Sequence, residues 1–385
     1  MRVLHVIPSV AAAHGGPSKA IVAIEQVLAQ HGVAITTATT DDDGPGRRQP
    51  ANKQPMAGAG ASRVYFPKRL EFYKVAPAML PWLWRNVRNF DVVHIHALFS
   101  FSCIAAALVA RLQHVPYVIR PLGTLTRYGV TQRRPWLKQI SLVLFEGPAL
   151  RHASAVHFTS DDEQREAAQC GIAMKGVVIP LGIEAPASAT DALVRAQFPA
   201  LQGAPYLLYL SRLDPKKNVE GLLQAFAQCR AQMPGVKLFI AGNGATEYVA
   251  TLAQFASTAG LNDHIVWAGH IEGDLKASAL AGALLFVLPS FSENFGIAAA
   301  EALMAGLPCV LGKGVAISQD VVEAGAGVAV SPDPASIAAG LVQLLAATAG
   351  RANMAKNAIV LAHSKFSAQA MGVNLMKLYS EILKK

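Results

Sequence analysis

The sequence predicts an α/β protein built from two doubly wound domains, each with a parallel sheet. Three observations carry this expectation. At 385 residues the chain is longer than one ordinary hydrophobic core. In two separate segments, short β-branched runs alternate with amphipathic stretches, the pattern of a parallel sheet covered on both faces. The alternation pauses once, at residues 184–203, which are rich in Ala, Ser and Pro and read as a linker.

In the first segment the strands are expected at residues 3–7, 34–39, 91–96, 117–119, 155–158 and 177–179. Helices are expected at 18–30, where apolar residues recur at helical spacing, and at 102–112, a small-residue stretch after a strand. In the second segment the strands fall at 206–210, 237–241, 264–267 and 284–288. Its helices fall at 219–232, 247–259 and 297–305, followed by an Ala- and Leu-rich helical stretch from 336 to 385. The domains then span residues 1–186 and 204–365, and the last helix, 366–385, is expected to pack back on the first. Two such domains joined by one linker are expected to face each other across a cleft, and open α/β sheets collect ligands outside the carboxyl ends of their strands. Residues 41–60 hold Pro, Gly and charge without periodicity and read as a loop.

Composition narrows the class. Hydrophobic residues make up 52% and charged residues 15%, enough apolar surface for two cores. No apolar run reaches the roughly 18 residues that span a bilayer. The opening Met1-Arg-Val-Leu-His-Val-Ile-Pro reads as a first buried strand rather than a leader. Cys103, Cys170, Cys229 and Cys309 are scattered with no paired spacing, as expected of reduced core thiols in a cytoplasmic protein. Residues 1–190 hold 20 Lys/Arg against 12 Asp/Glu, while residues 191–385 hold 14 against 13. The basic excess is concentrated between Arg63 and Arg151, with 13 basic and 3 acidic residues. Such a face attracts phosphate, nucleic acid or anionic lipid, and equally fits a solvated surface.

The strongest motif is Pro289-Ser-Phe-Ser-Glu-Asn-Phe-Gly-Ile-Ala-Ala-Ala-Glu. It sets Glu293 in the turn after a buried strand and Glu301 on the helix that follows. Carboxylates at this spacing suit the hydroxyls of two rings on either side of a diphosphate. The amides around Phe295 and Gly296 open the helix, where oxyanions bind. Otherwise Glu293 caps the helix and Glu301 is a surface residue. Tyr209-Leu-Ser-Arg-Leu-Asp-Pro-Lys-Lys-Asn places Arg212 and Lys217 between a strand and a helix, a fork and a point charge suited to a diphosphate. Asn218 is placed to cap the helix from Val219. Gly15 and Gly16, before Pro17 and Ser18, allow close backbone approach at the first strand–helix turn, without a GxGxxG fingerprint. His94 and His96 share one face of a strand, with His96 at its carboxyl end. No third ligand is spaced with them for a metal. Asp41-Asp-Asp reads as a solvated acidic turn.

Together these residues resemble glycosyltransferase family four, the glycosyl transferases group 1, with a GT-B fold. The Glu293-to-Glu301 element carries the resemblance most specifically. The Arg212 and Lys217 pair, Asp91-Val-Val-His-Ile-His, Val178-Ile-Pro-Leu-Gly-Ile-Glu, Ala241-Gly-Asn-Gly and Val266-Trp-Ala-Gly-His support it in the family's order. Leu311-Gly-Lys-Gly-Val-Ala matches the family's late glycine loop only loosely. The resemblance implies that Arg212, Lys217, Gly15 and Gly16 hold the donor diphosphate and that Glu301 takes the ribose. It implies that Glu293, with Asn294, Phe295 and Gly296, grips the transferred sugar, and that His96 lies near the anomeric carbon. Arg120, Gly123 and Arg127, from Arg120-Pro-Leu-Gly-Thr-Leu onward, resemble an acceptor-side loop of a bacterial polysaccharide subgroup. The implied reaction is retaining transfer from a UDP- or GDP-sugar, with no cofactor and no metal.

The acceptor is expected on the first domain, as a glycan or a lipid-linked phosphate. Aromatics mixed with cations at residues 63–74 and 81–88, including Trp82 and Trp84, suit a peripheral contact at the inner face of a membrane. Packing of those tryptophans inside the protein is the alternative. Arg127, Arg133, Arg134 and Lys138 suit an acidic sugar equally well. Nucleic-acid binding is not expected, since no recognition module is present. A nucleotide-sugar epimerase or hydrolase, a phosphorylase and a non-catalytic sugar-nucleotide-binding subunit are the alternatives.

Overall fold

The computed structural model describes residues 1–11, 16–44, 61–126, 135–185 and 189–384. Gly15, Arg127, Arg133, Arg134 and most of the expected 41–60 loop lie outside the described residues. The chain forms two units, Met1–Gly182 with Ala368–Lys385, and Ile183–Ser367.

The first unit holds seven strands, β1 Arg2–Val6, β2 Ala34–Thr40, β3 Ala61–Phe66, β4 Val92–His96, β5 Tyr117–Arg120, β6 Ala155–Phe158 and β7 Gly176–Val178. Their spatial order is β3-β2-β1-β4-β5-β6-β7, and every pairing is parallel. The order reverses between β1 and β4, the switch point where a doubly wound sheet opens a crevice. All five residues of β4 are buried, because helices cover both faces. On one face Leu4, Val93 and Ile95 pack with Met79 and Leu83 of helix Met79–Asn86 and with Ala106 of helix Phe101–Leu112. On the other, Val3, Val92 and Val118 pack with Ile24 and Leu28 of helix Gly16–Gln30.

That second face is completed by the end of the chain. Met371, Leu375, Leu378 and Tyr379 of helix Ala368–Leu383 lie in the same cluster. The two helices approach closely at Gly372, where a Cβ would stand 2.5 Å from the Val27 side chain. Helix Ala368–Leu383 is therefore a structural part of the first unit.

The second unit holds β8 Tyr206–Leu210, β9 Lys237–Ala241, β10 Ile265–Gly269, β11 Leu285–Leu288, β12 Cys309–Gly312 and β13 Gly327–Val330. Their order is β10-β9-β8-β11-β12-β13, again all parallel, with the reversal between β8 and β11. Both of those strands are buried throughout. The stretch read as a linker contains helix Ala192–Gln197, which belongs to this unit. Val194 and Leu201 are fully buried there, and the Val194 N–H donates to Ser278 Oγ at 3.0 Å, so two apolar residues anchor an Ala-rich segment.

Candidate functional site

At the switch point of the second unit, the loop after β8 and the loop after β11 are tied together by Asn218. Its backbone is left-handed, at φ 57°, and its side chain makes no helix-capping bond, contrary to the sequence expectation. Instead its amide donates to Pro289 O at 3.2 Å and Pro332 O at 2.7 Å. This brings Lys217, at the end of the turn Pro215–Lys217, against the β11 loop. Lys217 Nζ donates to Glu293 Oε1, and Ser290 Oγ donates to the same oxygen at 3.2 Å. The two side chains are only 10% and 16% exposed, so the pair is partly desolvated but open at one edge.

The backbone of Glu293 is clamped as well. Its N–H donates to Gly314 O at 2.8 Å, and Ala316 N–H donates to Glu293 O at 3.2 Å. A Cβ at Gly314 would stand 2.0 Å from Phe291 O, so only glycine permits this approach. The loosely matching segment 311–316 thus supports Glu293 from behind. The helix cap is Gly296, at φ 97°, and not Glu293. The first intrahelical bond runs from Ala300 N–H to Gly296 O, which leaves the preceding amides as donors at the helix start. Phe295 is buried and its ring meets Phe366 edge-on at 5.6 Å, so its ring is part of the core. Asn294 is half-buried.

Glu301, on helix Ile297–Met304, accepts from Lys276 Nζ at 2.7 Å. Lys276 lies on helix Gly273–Gly282, and no motif singles it out in the sequence. Arg212 is exposed beyond the end of β8. The structure thus joins Lys217 to Glu293 directly, holds Glu301 in a second acid–base pair, and leaves the Arg212 fork at the surface.

The switch point of the first unit is different. His5 on β1 is the register partner of His94 on β4, and His96 is the partner of Arg120 on β5. With His157 on β6, four strands place four histidines and one arginine side by side, all at most 2% exposed. The His94 and His96 rings stack at 4.3 Å. His157 Nε2–H donates to Ile179 O at 2.8 Å, which leaves Nδ1 to accept from His94 Nε2 at 3.4 Å. His94 Nδ1 then accepts from the Tyr379 hydroxyl at 2.7 Å. The remaining pair, His5 Nδ1 and His96 Nε2, lies 2.8 Å apart. Burial, and then the Arg120 charge, lower His5 and His157 to about 3. Burial likewise holds His94 and His96 well below the usual histidine value. Arg120 is itself lowered to about 10 by burial, which Glu163 opposes.

His96 is the last residue of β4, as expected, and its side chain is fully buried there. Its Nδ1, His5 Nε2 and Arg120 Nε are buried with no hydrogen-bond partner. Gly16 opens helix Gly16–Gln30. Gly123 N–H donates to Glu163 Oε1 at 2.6 Å, which also receives Thr159 through its other oxygen, so the start of the acceptor-side loop is tied to helix Asp161–Ala168.

Two readings of the first unit need correction. A third histidine does join His94 and His96. His5 comes from a neighbouring strand, and ligand nitrogens of the three lie within 4.8 Å of one another. Strand register, invisible in sequence spacing, brings it there. A cation at this point would have to displace Tyr379 or His157 from His94 and sit beside Arg120. Nor is Asp41-Asp-Asp a solvated turn. Asp41 and Asp42 are buried, and Lys68 and Lys74 both pair with Asp42. Burial works against that carboxylate, but the two lysines outweigh it and hold its pKa below the usual range.

Comparison with known proteins places the chain among glycosyltransferases. The family model for Glycosyl transferases group 1 matches residues 192–360, and that for the Glycosyl transferase 4-like domain matches residues 15–182. The chain is 26% identical over 272 residues to the GDP-mannose:cellobiosyl-diphosphopolyprenol alpha-mannosyltransferase of Xanthomonas oryzae, covering 66% of each chain, just under two thirds of that relative. It is 26% identical over 381 residues to the D-inositol 3-phosphate glycosyltransferase of Nocardiopsis dassonvillei, covering 89% of this chain and 84% of that one. Among solved structures, sucrose-phosphate synthase from Thermosynechococcus elongatus superposes with a TM-score of 0.79 at 18% identity, over 100% and 99% of the two chains. Among the described residues no single helix is long and apolar enough to cross a membrane.

Proposed function

Because the chain belongs to the glycosyl transferases group 1 family and is a GT-B glycosyltransferase, we propose that it moves a sugar from a UDP- or GDP-sugar to a lipid-linked acceptor, with retention and without a metal. The observation that carries the reading is the partly buried Lys217–Glu293 pair at the second unit's switch point, beside the exposed Arg212. A donor would replace each partner with one of its own groups. The diphosphate takes Lys217 and Arg212, and the sugar hydroxyls take Glu293 and the amides before Ala300. Glu301, now held by Lys276, takes the ribose hydroxyls.

Charge develops on the diphosphate as its bond to the anomeric carbon breaks. Lys217 and Arg212 oppose that charge in a partly desolvated site, where fixed cations act most strongly. The acceptor hydroxyl attacks the same face of the sugar, and its proton passes to the departing phosphate oxygen, so configuration is retained. Two cations and a helix start supply the stabilisation that a divalent ion gives elsewhere. In the first unit, the unpartnered Nδ1 of buried His96 is a polar atom that a sugar or acceptor hydroxyl would satisfy. A diphosphate-polyprenol acceptor, as in the name of the Xanthomonas oryzae relative, suits the basic first unit. Assaying nucleotide release from UDP- and GDP-sugars with and without extracted lipid acceptor tests the reading. Release that depends on the acceptor supports it, and equal release without acceptor favours a hydrolase.

A further inference from the structure

One exposed face of the first unit is apolar beyond what a soluble surface needs. Helix Pro135–Ser141 runs into a π-helical stretch, Leu142–Glu146. Along it Trp136 is 64% exposed, Ile140 49%, Val143 70%, Leu144 59% and Phe145 50%. A second segment joins this face. The Tyr73 hydroxyl is hydrogen-bonded by Ser141, which sets the exposed Leu70 and Phe72 beside the helix. Contiguous apolar exposure of this kind marks a surface that is covered in use.

Behind the helix lies a cavity of about 570 Å³. Leu142, Val143 and Ile172 line it with Arg151, Glu166 and Leu125. Leu125 belongs to the acceptor-side loop, so the cavity connects that loop to the apolar face.

The charge of the region indicates what covers the face. Between residues 63 and 151 there are 13 basic and 3 acidic residues, and each of the three acids accepts a hydrogen bond within the protein. Glu71 is paired with Lys68 and Lys74, Asp91 accepts from Arg2 N–H at 2.7 Å, and Glu146 is buried against Ser141. Arg63 and Lys68 are themselves paired inward, which removes part of the expected basic surface, but Arg69 and Arg151 remain exposed. A second copy of this face would meet it with like charge. An anionic bilayer complements both its charge and its apolar side chains.

We propose that the Trp136–Phe145 face, with Leu70 and Phe72, seats the first unit in the headgroup boundary of an anionic bilayer. This deepens the assignment of a lipid-borne acceptor and rests on it.

The test is flotation of the full chain with vesicles of equal parts phosphatidylglycerol and phosphatidylcholine, at low salt. It compares the native chain with the double variant Val143→Glu, Leu144→Glu, whose side chains are 70% and 59% exposed. The native chain is expected to float, and the variant to lose about tenfold or more of that partition. A native chain that stays in the aqueous fraction overturns the proposal, as does a variant that floats equally well. A dimer of the native chain that the variant dissolves, with no change in flotation, assigns the face to a second copy and also overturns it. Melting of both proteins with UDP and GDP separates this outcome from the donor reading. A nucleotide shift kept in a non-floating variant shows that only docking is lost, and no shift in either protein sinks the donor reading alone.

Discussion

At the second unit's switch point, charged side chains are partly exposed and matched acid to base, Lys217 with Glu293 and Lys276 with Glu301. At the first unit's switch point, four histidines and Arg120 are buried, and none of them bonds to a carboxylate. The sheets have the same strand order at these points, so the contrast comes from the side chains. A paired, half-open site can exchange its partners for ligand groups, since the cations can take an anion and the carboxylates can take hydroxyl donors. A buried set of bases stays neutral instead, since burial penalises the proton. The second unit's switch point therefore holds paired charges, and the first holds neutral imidazoles beside the Arg120 guanidinium.

The largest effect is expected from cutting the chain after Ser367. Four buried side chains, Met371, Leu375, Leu378 and Tyr379, leave the histidine-bearing face of the first sheet. At roughly 1.5–3 kcal/mol each, their loss is comparable to a whole domain's margin of about 5–15 kcal/mol. Loss of the cooperative melt of the first unit by calorimetry is the expected outcome. Lys217→Ala removes the diphosphate cation and strands Glu293, and turnover is expected to fall roughly 10²–10³-fold in steady-state kinetics. Glu301→Gln keeps the shape but loses the charge, and the donor KM is expected to rise roughly 10-fold or more with turnover less affected. Treatment with EDTA is expected to leave turnover unchanged, and a loss restored by a divalent ion would overturn the metal-free mechanism.

The smallest effect sharpens the contrast through pH. His5 and His157 titrate near 3 when folded, against 6.5 when unfolded. Between those values the unfolded chain binds more protons, so stability rises with pH and falls as the solution is acidified. Each such histidine contributes a slope of up to about 1.4 kcal/mol per pH unit. His157→Gln is expected to flatten the slope by about one proton in denaturant melts between pH 4 and 6.

Much of this architecture is legible in the sequence because β8 and β11 are unbroken apolar runs, and β1 and β4 are apolar apart from Arg2 and their buried histidines. β12 and β13 escaped notice because each has four residues and carries glycine at one end. β3 was hidden by Arg63 and Tyr65, which give an edge strand a polar look. Glu293, Lys217 and Glu301 could be read from motif spacing, since each lies within one loop or helix of a strand end. Lys276 and Ser290 could not, because their roles arise only from packing against those residues. His5 is 91 residues from His96, and nothing short of strand register joins them.

Melting the full chain with UDP and with GDP, beside Lys217→Ala and Glu301→Ala, tests the donor assignment most directly. At least one nucleotide should raise the melting temperature of the native chain, and each substitution should reduce that rise. If neither nucleotide stabilises the native chain, or both variants keep the full shift, the second unit's switch point is not where the donor binds.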